Sequence, residues 1–184
     1  MPKLYFKYGA MGSSKTANAL MVKFNYEEKG YKVALLKPAT DDRDGKDVVK
    51  SRIGLEGKAI IITPDMNLVD WYSKNSEYKV IIVDESQFLS EAQVEQLKQV
   101  SISSVPVLCF GLKTDFMTRM FPGSKRLFEL ANSISEIKSV CSCGAKAEVN
   151  ARLSDGKIVK EGEQIMLGGN ESYIGMCYKC WIKG

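Results

Sequence analysis

Three groups of residues in the 184-residue chain have the types and spacing to do chemistry. The first is Gly9-Ala10-Met11-Gly12-Ser13-Ser14-Lys15-Thr16, where a short apolar run gives way to small residues and then to Lys-Thr at the head of a helical pattern. Small residues let an anion approach the main chain, and the converging N–H groups of a strand-to-helix turn bind it. A lysine and a hydroxyl just beyond then reach phosphate oxygens and Mg²⁺. The segment follows G-x-x-x-x-G-K-[ST] except that Ser14 stands where the last glycine belongs. A serine fits there with a right-handed backbone and is strained at positive φ. Read alone, the segment is also a small-residue turn that merely starts a helix.

The second group is Asp84-Glu85, at the end of the apolar run "VIIVD". A strand of this kind delivers its carboxylates to the carboxyl edge of a sheet, where open α/β folds bind ligands. Asp84 is the natural partner of Mg²⁺ there, through water, and Glu85 is a candidate base. By themselves the two acids also fit a strand end capped by solvated charge.

Cys141, Cys143, Cys177 and Cys180 form the third group, two close pairs separated by a hairpin-sized span. Four thiolates supply a tetrahedral Zn²⁺ site, and Gly144 allows the tight turn after the first pair. Such a zinc has no open position, which makes it structural. The alternative is a set of free thiols. Cys109 lies inside an apolar strand and reads as core. The chain has no histidine, so acid–base chemistry falls to carboxylates, Lys, Tyr or Cys.

The elements that must position these groups follow from apolar runs of strand length at residues 3–8, 31–37, 58–62, 79–84 and 105–111. Each is apolar on both faces, as a buried parallel strand would be. Between them, a helix runs from Ser14 and closes at Gly30, and another starts at Ser90. Pro122 and Gly123 break the chain before Ser124 caps a short helix. The pattern predicts an α/β fold with a central parallel sheet flanked by helices. After about residue 138 the chain changes to short strand-like pieces, with an Asp155-Gly156 hairpin turn and the clustered cysteines. Residues 1–137 are therefore expected to form the nucleotide-binding domain and residues 138–184 a small metal-binding one.

Composition agrees with a folded soluble chain: 45% hydrophobic and 26% charged residues are ordinary globular values. No apolar run is long enough to span a membrane and no secretory signal pattern opens the sequence, which predicts a cytoplasmic location. A net charge of +4, spread along the chain, gives little reason to expect nucleic acid or a membrane as partner. In the last 47 residues Lys138, Lys146, Arg152, Lys157 and Lys160 are offset by Glu148, Asp155, Glu161, Glu163 and Glu171, as in a solvated mixed face.

Taken in order, five segments resemble one family, the thymidine kinases of the type found in many bacteria and in animal cytosol. "GAMGSSKT" is similar to the family's phosphate loop, "KPATDDRDG" to its Lys-Pro-Ala…Asp-x-Arg segment and "DESQF" to its Asp-Glu-x-Gln-Phe. "GLKTDFMTRMFPGS" and "LGGNESYIGMC" resemble its Leu-x-x-x-Phe stretch and its Gly-Gly-x-x-x-Tyr lasso. The resemblance covers nearly the whole chain. It implies a P-loop ATP-binding α/β domain with a C-terminal zinc-bearing lasso domain. The implied reaction is transfer of the ATP γ-phosphoryl to the 5′-hydroxyl of thymidine, with deoxyuridine also accepted.

Carried over, Gly9 to Thr16 hold phosphate, Thr16 and Asp84 hold Mg²⁺, and Glu85 takes the proton from the 5′-hydroxyl. Arg43, near Asp41, faces the transferring phosphoryl. Met11, Phe88, Leu112, Phe116 and Phe121 line the nucleoside pocket, each of which alone would read as core packing. Asn150 matches a position that contacts the base, where a small hydroxyl residue is frequent. Gly168, Gly169 and Tyr173 match the lasso that reads the pyrimidine largely through backbone groups. The resemblance further implies a homotetramer and end-product inhibition by dTTP. It leaves Arg52, where relatives often have histidine, without a role.

Two other functions fit parts of the same pattern. One is a P-loop ATPase or GTPase, in which Glu85 would activate water, although no guanine-reading Asn-Lys-x-Asp segment is present. The other is a nucleic-acid-binding module built around the zinc ribbon.

Overall fold

The computed structural model describes residues 3–40, 47–103, 105–165 and 173–184. Its elements are, in order, β1 (Leu4–Tyr8), α1 (Lys15–Glu28), β2 (Val33–Pro38), β3 (Val48–Lys50), β4 (Glu56–Lys58), β5 (Ile60–Ile62), α2 (Leu68–Ser73) and β6 (Val80–Val83). A 3₁₀ turn at Ser86–Phe88 leads to α3 (Glu91–Ser103), β7 (Val107–Gly111), α4 (Pro122–Leu130) and β8 (Ser133–Glu136). The last part holds β9 (Ser139–Val140), β10 (Lys146–Ala147), β11 (Val149–Ser154), β12 (Lys157–Val159), β13 (Tyr173–Met176) and α5 (Tyr178–Lys183).

Six strands pair in parallel in the order β5-β2-β6-β7-β1-β8. Successive side chains of a strand point to opposite faces. Ile81 and Val83 accordingly join Leu4, Phe6, Leu36, Leu97, Val107 and Leu127 on the face covered by α2, α3 and α4. Val80 and Ile82 join Leu20, Leu35, Leu108 and Phe110 on the face covered by α1. Both faces are thus dry, which is why these strands read as continuous apolar runs. Cys109 is fully buried in this core, and desolvation pushes its thiol far up, so it is inert.

The expected helix starts hold with one exception. At α3, Gln93 N–H donates to Ser90 Oγ at 3.1 Å and Ser90 N–H donates to Gln93 Oε1 at 3.2 Å, a reciprocal cap. At α4 the expected Ser124 cap is wrong. The helix begins at Pro122, whose missing N–H is no loss in the first turn, and Ser124 is buried with its hydroxyl donating to Leu112 O at 2.6 Å. Elements that the sequence reading passed over are β8, α2 and the β3–β4 hairpin.

The last part of the chain is built of short antiparallel strands. Asp155 and Gly156, both at positive φ, make the two-residue turn between β11 and β12. β13 lies on the other side of β11, with Val149, Ala151 and Met176 packed against Cys141 and Cys177. No helix among the described residues is long and apolar enough to cross a membrane.

Candidate active site

The loop from Gly9 to Thr16 runs from the end of β1 into the first turn of α1, at the carboxyl edge of the sheet. Gly9 is sterically required, since a Cβ there would lie 2.3 Å from Ser13 Oγ and 2.5 Å from Ile137 O. Lys15 folds back over the loop, its ammonium donating to Ala10 O at 2.8 Å and to Ser13 Oγ at 3.3 Å. No side chain caps α1, so its first-turn N–H groups remain available for an anion. Ser14 has φ 61° and ψ 29°, the strained left-handed conformation. That costs a serine about 1–2 kcal/mol relative to the right-handed form.

Across the loop, Asp84 and Glu85 follow β6. The Thr16 hydroxyl donates to Asp84 Oδ2 at 2.9 Å. Asp84 is 4% exposed, and burial together with the Glu85 charge raises its carboxyl to about 7. A hydroxyl and a carboxylate at this distance, beside a phosphate loop, can share a hard cation.

Glu85 is half-buried and also left-handed, at φ 49°. Gln87 Nε2 donates to Glu85 Oε2 at 2.5 Å, and Gln87 Oε1 accepts the Leu112 N–H at 3.0 Å. The backbone donor fixes which end of the Gln87 amide faces Glu85. The sequence reading gave Gln87 no role, although its place in "DESQF" was the available signal.

Met11, Gly12, Ser14, Lys15, Thr16, Asp84 and Glu85 line one open cleft. Its far wall is the tip of the β3–β4 hairpin, including Lys50 and Arg52. Arg52, without a role from sequence, therefore lines the same cleft as the phosphate loop, beside Lys50.

The residues predicted to hold a nucleoside are tied together behind this cleft. Asn150, 3% exposed, accepts Met11 N–H at 2.8 Å and donates to Thr114 O at 2.7 Å. Both ends of its amide are occupied, so it links the phosphate loop to the segment after β7. Phe88 and Phe121 meet edge to face, with centroids 5.7 Å apart. Phe116 and Phe121 are buried, while Met11, Phe88, Leu112 and Tyr173 are half-buried and keep surface for a ligand. Asp41, Arg43, Gly168 and Gly169 lie outside the described residues.

One predicted placement is corrected. Arg152 does not belong to a solvated mixed face; it is 4% exposed, with Nε donating to Tyr173 Oη at 2.7 Å. The alternation of "VNARLS" points residue 152 to a solvated side, but β11 is covered on both sides here: residues 149 and 151 pack on one, and residue 152 pairs with Tyr173.

The four clustered cysteine sulfurs lie within 4.8 Å of one another. Sulfurs 2.3 Å from a common tetrahedral metal would be about 3.8 Å apart, and Cys143 Sγ is 3.6 Å from Cys177 Sγ. Backbone N–H groups of Cys143 and Cys177 hold the Cys141 thiol down to about 6, whereas hydrogen bonding with Cys177 pushes Cys180 up to about 12. Four crowded sulfurs cannot all ionise without a cation among them, and a soft metal ion fits the donor set.

A six-stranded parallel sheet, a phosphate loop after β1 at its carboxyl edge and an acidic pair after β6, with β7 between the two strands, place the chain in the P-loop class of α/β folds. A thymidine kinase family profile matches residues 2–181. The chain is 46% identical over 182 residues to the thymidine kinase of Streptococcus pyogenes serotype M3, covering 97% of this chain and 96% of that one. It is 45% identical over 186 residues to the thymidine kinase of Enterobacteria phage T4, covering 98% and 96%. The corresponding values for the enzyme of Zymomonas mobilis subsp. mobilis are 42% over 188 residues, covering 100% and 97%. The chain belongs to the thymidine kinase family.

Proposed function

We infer that this chain transfers the γ-phosphoryl group of ATP to the 5′-hydroxyl of thymidine, giving dTMP and ADP in pyrimidine deoxynucleotide salvage, and that it also accepts deoxyuridine. The observation that carries this reading is the Thr16–Asp84 hydrogen bond beside the phosphate loop, with Glu85 next in the chain and linked through Gln87 to Leu112. It supports a reading in which the groups that bind phosphate after β1 and the group that accepts the proton after β6 act together at the carboxyl edge of the sheet, across the end of β7.

In this reading Gly9, Ala10, Met11, Gly12, Ser13, Ser14 and Lys15 cradle the phosphates, with Arg43 at the transferring group. Thr16 and Asp84 would hold Mg²⁺, which when bound neutralises phosphate charge. Glu85 accepts the proton of the 5′-hydroxyl as its oxygen bonds to the γ-phosphorus and the bond to the ADP oxygen breaks. Met11, Phe88, Leu112, Phe116, Phe121, Gly168, Gly169 and Tyr173 surround the nucleoside, and Asn150 supports them from behind.

Cys141, Cys143, Cys177 and Cys180 would hold Zn²⁺, which anchors the segment around Tyr173 and takes no part in the chemistry. The division into residues 1–137 and 138–184, a homotetramer, a cytoplasmic location and feedback inhibition by dTTP belong to the same reading. A panel of nucleosides incubated with labelled ATP tests it. Label should appear in 5′-dTMP and 5′-dUMP; phosphate release indifferent to thymidine would mean a hydrolase instead.

A further inference from the structure

Arg152 is a buried cation that, among the described residues, has no carboxylate partner. Nε donates to Tyr173 Oη at 2.7 Å, and Nη2 donates to Glu163 O at 2.7 Å and Gln164 O at 3.4 Å. The guanidinium carbon lies 3.5 Å from the Phe116 ring centroid and 5.3 Å from that of Tyr173. Desolvating a charge is costly, and only carbonyls, one phenol oxygen and two aromatic faces offset it here. An apolar side chain would stabilise a small lobe as well or better. The polar choice therefore has to be explained by what it holds.

Sheet register locates what it holds. Arg152 is opposite Tyr173, and two residues away Asn150 is opposite Gly175. Opposed residues, and residues two apart, share one face of a sheet. At the Asn150–Gly175 position that face touches the phosphate loop: Asn150 accepts Met11 N–H, and a Cβ on Gly175 would lie 2.4 Å from Met11 O. Arg152 and Tyr173 are thus one two-residue step, about 7 Å, from the loop on the same face. Phe116 comes from the segment whose Leu112 is tied through Gln87 to Glu85. A second tie joins that segment to the strand region, because Gln164 Nε2 donates to Asp115 Oδ2 at 2.8 Å.

We propose that Arg152 is the positioning residue of the nucleoside pocket, fixing the Phe116 and Tyr173 rings and setting the direction of the Tyr173 O–H. This rests on the thymidine kinase reading above. The Tyr173 oxygen accepts from Nε, so its own proton points away from Arg152 and is left to donate to an oxygen of the nucleoside. A charged donor behind the phenol strengthens that outward bond. Arg152 touches neither the phosphates nor the reacting hydroxyl; it acts through its two aromatic neighbours. Lysine cannot replace it, since a single ammonium cannot stack on one ring while bonding both a phenol and a carbonyl in fixed directions.

The test is steady-state kinetics of Arg152→Lys, Tyr173→Phe and the double variant, with thymidine and ATP varied in turn and melting temperature and zinc content measured for each. Each single variant should raise KM for thymidine about tenfold, the loss of one charge-assisted hydrogen bond. KM for ATP should stay within about twofold, and the double variant should fall close to either single one, since both remove the same contact. A normally melting Arg152→Lys with unchanged KM for thymidine overturns the proposal. So does a double variant whose loss is the product of the single losses. Should Arg152→Lys melt low or lose zinc, Tyr173→Phe decides, because it removes one oxygen and keeps the ring; an unchanged KM for thymidine there overturns the proposal as well. A wild-type chain with no thymidine-dependent transfer overturns the parent reading, and shows itself before any variant is compared.

Discussion

The Thr16 hydroxyl donates to Asp84 Oδ2 across 2.9 Å. Burial, and then the Glu85 charge, raise the Asp84 carboxyl from an ordinary 3.8 to about 7, outweighing Thr16 and Lys15, which pull the other way. The fold thus favours the protonated acid. Its contribution to stability is complete below the ordinary carboxylate range, falls as pH rises from about 4 toward 7, and is flat beyond. Asparagine is neutral throughout. Ligand-free Asp84→Asn should melt a few degrees above wild type at pH 8, with the gap closing toward pH 4, while Mg²⁺-dependent ATP binding is lost. A gap of constant size across thermal melts at different pH would show that carboxylate charge is not its source.

Glu85→Gln should keep nucleotide affinity and lower kcat by about 10²–10⁴-fold, because only the proton acceptor goes. Gln87→Ala leaves the acceptor but removes the amide that helps to orient it, and a loss in kcat on the order of tenfold with unchanged KM for ATP is expected. Single-turnover rates at saturating ATP read both. Wild-type kcat in Glu85→Gln would remove Glu85 from the mechanism.

What the sequence made legible is what chemistry concentrates locally. The phosphate loop, Asp84-Glu85 and the two cysteine pairs each occupy a few consecutive residues, and five of the six parallel strands lie in apolar runs. β8 was not legible because "SISE" is an exposed edge strand with three polar residues in four, and its place beside β1 is fixed by distant pairing. The β3–β4 hairpin, which carries Arg52 to the cleft, has strands of three residues, too short for any period to register. Asn150 and Arg152 look like ordinary polar residues of a strand. Their partners Met11, Thr114 and Tyr173 are 139, 36 and 21 residues away, and only the fold brings them together.

Removing the metal should affect the two substrates unequally. Cys141 and Cys177 pack against Val149 and Met176, which pair across β11 and β13, the strands that carry Arg152 and Tyr173. A structural zinc contributes roughly 10–16 kcal/mol in isolated modules. Titration with a chelator should raise KM for thymidine before ATP affinity changes, because the phosphate loop is carried by β1 and α1 and keeps those anchors when its contact with Asn150 loosens. Parallel loss of both, followed by equilibrium ATP binding during chelation, would mean that the metal supports the whole fold.

Ser14→Gly tests the strained turn. A serine at φ 61° costs about 1–2 kcal/mol relative to the right-handed region, and glycine removes that strain. The extra freedom glycine gives the unfolded chain takes back roughly 0.4–1 kcal/mol, so the strain term wins by about 0.5–1 kcal/mol. The Ser14 side chain makes no capping bond that the change would lose. For a chain of this size, that difference corresponds to a rise of about 1–4 °C in melting temperature. KM for ATP should stay within about twofold, since the loop contacts phosphate through backbone N–H groups that both residues possess. A lower melting temperature in Ser14→Gly would show that the serine hydroxyl contributes a contact larger than the strain it bears.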